Sequence, residues 1–108
     1  MNDVFKALSD PTRRNILKLL RSKDLCAGDI WSAFEMSKPS ITHHLNILTA
    51  SGLIHREKRG QNVFYSLNTT VFQEAIQWFF DFRNNNKADD FEQQTEGDDA
   101  DEESNNLL

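Results

Sequence analysis

In the first half of the chain, apolar residues recur every three to four positions, which places them on one face of a helix. Asp10 is a suitable N-cap before Pro11, and either Asn2 or Asp3 is a suitable cap for a short segment ahead of it. Gly52 is a natural left-handed stop. The pattern predicts four helices, at Val4 to Leu8, Pro11 to about Arg21, about Ala27 to Phe34 (with Ile30, Ala33 and Phe34 facing inward), and from the cap Ser37 to Gly52.

After Gly52 the period changes to two, which is typical of β-strands. Strands are predicted at Leu53 to Lys58 and Asn62 to Leu67, joined through a turn that contains Gly60. Thr70 and Gln73 form a capping box that starts a last helix, which extends to about Phe82. The predicted fold class is therefore mainly α (α+β), a winged helix-turn-helix with the order α-α-α-α-β-β-α.

Charge is distributed unevenly over the 108 residues, whose formal net charge is −5. Up to Lys87 there are 12 basic and 8 acidic residues, whereas the rest of the chain has 9 acidic residues and no basic one. The sequence from Asn84 onward is poor in apolar residues and is predicted to be disordered. We place the folded domain in residues 1–86 and a disordered acidic C-terminal tail in residues 87–108, whose role, solubility or competition with DNA, is left open.

Several classes of protein are not expected. Cys26 is the single cysteine, and the N-terminal sequence MNDVFKALSDP has no feature of a signal peptide. No apolar run is long enough to span a bilayer, so a cytoplasmic location without membrane insertion is predicted. The sequence contains no nucleophile–base pair, paired carboxylates or glycine-rich phosphate loop, so neither an enzyme nor a cofactor is predicted.

The fourth helix has an apolar face and a small polar face, which indicates contact with DNA. Ile41, Leu45 and Leu48 share the apolar face, and the opposite arc has no acidic residue. A basic hairpin follows, as duplex recognition by a winged helix requires. The predicted DNA contacts are Ser37, Lys38, Pro39, Ser40, Thr42, His43, Asn46, Arg56, Lys58, Arg59 and Gln61.

An isolated polar helix face is usually only solvated, but the basic hairpin favours DNA. His43 and His44 are adjacent and point about 100° apart on a helix, so they cannot chelate one metal ion together. A half-buried packing role is predicted for His44. A winged-helix module that docks on a protein instead of DNA remains the alternative function.

The last helix has more apolar residues than one face of a monomer can hide. A symmetric homodimer is therefore predicted, and its two recognition helices would require an inverted-repeat operator in double-stranded DNA. The predicted interface residues are Val4, Phe5, Leu8, Phe72, Ile76, Phe79 and Phe80.

The segments VFKALSDPTRRNILKLL, DLCAGDIWSAF, SKPSITHHLNILTASGLI and REKRGQNVFYSLN together resemble bacterial repressors of the ArsR type. The resemblance covers about residues 3–83 and is closer to the non-metal, sporulation-delay autorepressor branch of the family. It implies a homodimeric transcriptional repressor that dimerises through its first and last helices and acts on an operator near its own operon.

The metal sensors of this family use a Cys-Val-Cys run on the third helix, or Asp and His ligands on the last helix. Cys26 matches the first position of that run, but Gly28 stands at the partner position, and the last helix has neither His nor Cys. No metal site is therefore predicted. A metal-responsive or redox-responsive repressor that uses Cys26 remains an alternative, and the releasing signal, an inducer or a protein antagonist, is left open.

Overall fold

The computed structural model describes the backbone of residues 1–94 and the side chains of residues 1–83. It confirms the predicted winged helix-turn-helix and adds one short strand before the third helix. The elements are α1 Asn2–Leu8, α2 Pro11–Ser22, β1 Leu25–Cys26, α3 Ala27–Ser32, α4 Lys38–Ser51, β2 Ile54–Arg59, β3 Asn62–Leu67 and α5 Thr69–Gln94.

The starts of the helices follow their capping residues, with two differences from the prediction. Asp10 caps α2 as predicted, since its Oδ2 accepts a hydrogen bond of 3.0 Å from the backbone N–H of Arg13. The predicted caps of α1 were wrong, because Met1 occupies the N-cap and Asp3 lies in the first turn. There a carboxylate stabilises the positive end of the helix dipole instead.

The start of α5 also differs from the prediction. The helix begins at Thr69, and Oδ1 of Asn68 accepts a hydrogen bond of 3.3 Å from the backbone N–H of Val71. The predicted capping box at Thr70 was therefore wrong. Asn is at least as good an N-cap as Thr, and it comes two residues earlier in the chain.

Two glycines with positive φ set the ends of α4 and of the hairpin. Gly52 has φ 87°, and the backbone N–H of Leu53 returns to the carbonyl of Leu48 at 3.2 Å, which closes the last turn of α4. Gly60 has φ 62° in the turn between β2 and β3. Both conformations favour glycine because it has no Cβ.

The strands form one antiparallel sheet in the order β1-β3-β2, with Leu25 opposite Tyr65 and Cys26 opposite Phe64. Behind it, α1, α2, α3 and α4 pack around one core. The predicted inner face of α4 is confirmed, and so is burial of Ile30, whereas Ala33 is exposed because α3 already ends at Ser32. The buried residues are Val4, Ala7, Ile16, Leu17, Leu20, Ile30, Ile41, Leu45, Leu48, Leu53, Ile54, Tyr65 and Ala75.

The last helix is longer than predicted. It ends at Gln94 instead of near Phe82. No glycine or proline, the residues that break helices, occurs between Gly60 and Gly97. The tail prediction for residues 95–108 lies outside the described residues, and the domain boundary at residue 86 stays a prediction. Met1–Ala75 form one compact unit, and the described residues from Ile76 onward belong to another.

Candidate nucleic-acid interface

The start of α4 is stabilised by its own polar residues. Oγ of Ser37 accepts a hydrogen bond from the backbone N–H of Ser40 at 3.2 Å, and the two hydroxyls are 2.9 Å apart. Pro39 lies in the first turn, where its missing N–H costs nothing. These three predicted DNA-contact residues therefore also stabilise the exposed N-terminal end of α4.

The next turn of α4 carries the predicted base-contacting residues. His43 and Asn46 are exposed and Thr42 is half-buried. Among the residues that the structure describes, no partner is hydrogen-bonded to these three side chains, which are spaced to share one arc of the helix. They can donate and accept hydrogen bonds at base edges.

Lys38 lies on the aromatic ring of Trp31 in α3. Its Nζ is 5.0 Å from the ring centroid, within the range of a cation–π interaction. The ring thus fixes the ammonium group beside the start of α4. This pair was not predicted from the sequence, because the six residues between Trp31 and Lys38 do not indicate the turn that brings the two side chains together.

The hairpin of β2 and β3 is here called the wing. Its three cations lie on two different faces. Cross-strand pairs share a face, and Arg56 is opposite Tyr65 while Lys58 is opposite Val63. Glu57 and Arg59 alternate with them and therefore lie on the other face. All three cations are exposed, but only Arg56 and Lys58 share one face.

Arg59 is engaged within the protein. It donates hydrogen bonds of 3.0 Å to the carboxylates of Asp24 and Glu57, and its guanidinium lies 4.8 Å from the ring centroid of Phe64. The hydrogen bond to Asp24, followed by the one to Glu57, raises the pKa of Arg59 above its ordinary value. Asp24 reaches the wing because the short strand β1, which the sequence analysis missed, pairs with β3.

A second cluster links α4 to the helices behind it. His44 is half-buried, as predicted, and its Nδ1 is 3.1 Å from Nη1 of Arg13 and 3.8 Å from Oδ2 of Asp10. Desolvation raises the pKa of Asp10, but the backbone N–H of Arg13 and the charges of His44 and Arg13 outweigh it, so that this pKa lies below the ordinary 3.8.

Cys26 is half-buried at the N-cap of α3, and its side chain makes no capping hydrogen bond. In the part of the chain that the structure describes, no three His, Cys, Asp or Glu side chains come close enough to hold a metal ion.

The predicted dimer residues differ in their exposure. Val4 is only 6% exposed, because the core of its own protomer covers it. Phe5, Leu8 and Phe72 are half-buried. In the unit that begins at Ile76, the exposed fractions are 39% for Ile76 and 52% each for Phe79 and Phe80.

The fold and the exposed polar arc of α4 beside a basic wing define a winged helix-turn-helix DNA-binding regulator. A family model described as "Bacterial regulatory protein, arsR family" matches residues 10–56. The transcriptional repressor SdpR of Bacillus subtilis is 55% identical over 89 residues, which cover 82% of this chain and 99% of SdpR. The arsenical resistance operon repressor of Staphylococcus aureus is 35% identical over 77 residues, 71% of this chain and 74% of that protein.

The solved structures agree with these relatives. An ArsR-like transcriptional regulator from Rhodococcus sp. RHA1 matches with a TM-score of 0.69 and 27% identity, over 86% of this chain and 91% of that one. The chain belongs to the ArsR family of bacterial regulatory proteins. It is a DNA-binding transcriptional repressor of that family and not an enzyme. No helix within residues 1–94 is long and apolar enough to cross a membrane.

Proposed function

We propose that the protein is a homodimeric repressor that binds an inverted repeat near its own operon. The observation that carries this proposal is the arc of Thr42, His43 and Asn46, which has no acidic neighbour on α4 and is followed by a basic wing. The description of SdpR as a transcriptional repressor supports the proposal that this protein represses transcription.

In this proposal α4 is the recognition helix in the major groove. Thr42, His43 and Asn46 contact base edges, because their side chains are short or planar and hydrogen-bond at their ends. Ser37, Pro39 and Ser40 bring the N-terminal end of α4 to the DNA backbone, where the helix dipole favours a phosphate. The exposed N-terminal end of α4 would thus contact a phosphate of the DNA backbone.

The wing and Lys38 supply the sequence-independent part of binding. Arg56 and Lys58 lie on one face of the wing, and Gln61 follows at its tip. Arg59 is hydrogen-bonded to Asp24 and Glu57. To contact a phosphate, its guanidinium must either bind the phosphate in addition to these carboxylates or break its hydrogen bonds with them. Phosphate contacts of this kind position the protein but specify no sequence.

We further propose that the dimer buries the apolar surface of α5. The exposed face with Ile76, Phe79 and Phe80 borders an open depression of about 220 Å³. Phe5, Leu8, Phe72 and the remaining surface of Val4 complete the predicted set. A two-fold axis would place the two recognition helices about one DNA turn apart, roughly 34 Å.

Protection of the DNA upstream of the protein's own gene tests this function. The footprint should contain two inverted half-sites, and Thr42→Ala should relax the base preference within each of them by about 1–3 kcal/mol. Lys58→Gln, the control, should weaken binding to all sequences about equally. An identical effect of both substitutions would mean that α4 is not the recognition helix, and absence of any protection would contradict the repressor.

Sedimentation tests the dimer separately. Phe79→Glu places a charge on the exposed apolar face and should yield monomers. Gln77→Glu adds the same charge on the polar side of α5, where Gln77 is hydrogen-bonded to Asp81 at 2.8 Å, and should leave the dimer intact. A wild-type monomer at micromolar concentration would contradict the proposed assembly.

A further inference from the structure

One guanidinium group connects three helices of the protein. Nε of Arg13 in α2 donates a hydrogen bond of 2.8 Å to the carbonyl of Ala7, and Nη2 donates one of 3.2 Å to the carbonyl of Lys6, both in α1. Its Nη1 lies 3.1 Å from Nδ1 of His44 in α4. Arg13 is half-buried, so these contacts are partly shielded from water.

The hydrogen bonds from Arg13 to α1 lie at the C-terminal end of that helix. The last carbonyls of any helix lack partners within it, and α1 ends at Leu8. Arg13 supplies a partner for the carbonyl of Ala7 and an additional donor for that of Lys6, which also accepts hydrogen bonds from the backbone N–H and the hydroxyl of Ser9. Arg14 does the same for the carbonyl of Leu8 at 2.8 Å, but no contact between Arg14 and α4 accompanies it among the hydrogen bonds of the described residues.

The contact with α4 uses Nδ1 of His44. A guanidinium can only donate hydrogen bonds, so Nδ1 is the acceptor in this contact. Asp10 fixes the backbone of Arg13 through the capping hydrogen bond of 3.0 Å. The ring of His44 is thus held between helices, while the neighbouring His43 faces outward.

We propose that Arg13 is a positioning residue for DNA recognition, which holds α4 at a fixed rotation against α1 by means of His44. The inference rests on the proposed function, in which α4 contacts bases and α1 lies near the partner protomer. Base contacts tolerate displacements of only about 0.5 Å, whereas contacts with phosphates are less demanding. Loss of the link therefore weakens specific binding more than non-specific binding.

The consequence extends to regulation. Because Arg13 bonds to the main chain of α1, a displacement of α1 at the dimer interface moves the group that supports α4. A chain of discrete hydrogen bonds between two elements is a physical route for such coupling. Lysine at this position would keep the charge, but its single ammonium does not present a planar fork to three acceptors.

The test compares full-length variants on two duplexes, the tightest one that wild-type protein selects from a random library and a scrambled duplex of equal length. Arg13→Lys and His44→Leu should each weaken binding to the selected duplex about tenfold, the factor expected for a hydrogen bond of a charged group. Binding to the scrambled duplex should change less than about twofold, with an unchanged salt dependence. The double variant should be no worse than either single one, because both remove the same link.

Two matched variants separate positioning from stability. Arg14→Lys removes a guanidinium cap from α1 alone and should retain the preference for the selected duplex. His44→Asn keeps an acceptor near the position of Nδ1 and should restore the preference that His44→Leu loses. If Arg13→Lys does not fold, the pair His44→Leu and His44→Asn decides the question. Equal losses on both duplexes, or an Arg14→Lys effect as large as that of Arg13→Lys, would overturn the inference. Absence of any preference of wild-type protein for one duplex would instead refute the proposed function.

Discussion

The division of the wing into two faces predicts that neighbouring cations contribute unequally to DNA binding. Lys58 and Arg59 are adjacent, exposed and of equal charge, so Lys58→Gln and Arg59→Gln are a matched pair. Arg59 is hydrogen-bonded to Asp24 and Glu57, whereas no ion pair of Lys58 occurs among the described side chains. Lys58 should therefore neutralise a phosphate more completely.

The magnitude follows from counterion release. Each neutralised phosphate contributes about 0.9 to the slope of log affinity against log salt concentration. Lys38, Arg56 and Lys58 of two protomers supply about six contacts, which predicts a slope near −5. Lys58→Gln removes one contact from each protomer and should make the slope shallower by about 1.8. Arg59→Gln should change it by clearly less.

Fluorescence anisotropy with a labelled duplex, between about 50 and 200 mM salt, measures these slopes. Asp24→Asn is an informative third variant, because it removes one of the two carboxylates paired with Arg59 and should steepen the slope. Combining Asp24→Asn with Arg59→Gln should abolish that gain. Equal slopes for Lys58→Gln and Arg59→Gln, or no response to Asp24→Asn, would refute the reasoning.

Other predictions concern stability and the thiol. Gly52→Ala should lower the free energy of unfolding by about 1–2 kcal/mol, measured by urea denaturation, because φ is positive there although a Cβ would meet Val71 at an ordinary 3.9 Å. Leu45→Ala should cost about 2–5 kcal/mol in the same assay, since the side chain is 1% exposed. The lowered pKa of Asp10 stabilises the fold above pH 3.8, and this stabilisation disappears as the pH falls through the folded-state pKa, so Asp10→Asn should flatten the acid limb of Tm against pH. Zn²⁺ should leave the DNA affinity of wild-type and Cys26→Ser protein unchanged.

Local chemistry determined most of the architecture. Asp10 and Pro11 begin α2, Ser37 begins α4, and Gly52 ends it, all as the sequence predicts. These features depend on capping side chains and on a left-handed glycine, which act within a few residues of the chain. The buried face of α4 also follows from its spacing, because residues three and four apart lie on one side of a helix.

Only the tertiary structure decided how the charges of the site are used. The sequence predicts Arg56, Lys58 and Arg59 as one basic wing, but the strand pairing separates them, and β1 brings Asp24 from a distant part of the chain to Arg59. The link from Arg13 to His44 likewise joins residues 31 positions apart. The physical reason is that periodicity and capping act locally, whereas the partner of a charged side chain depends on which elements pack together.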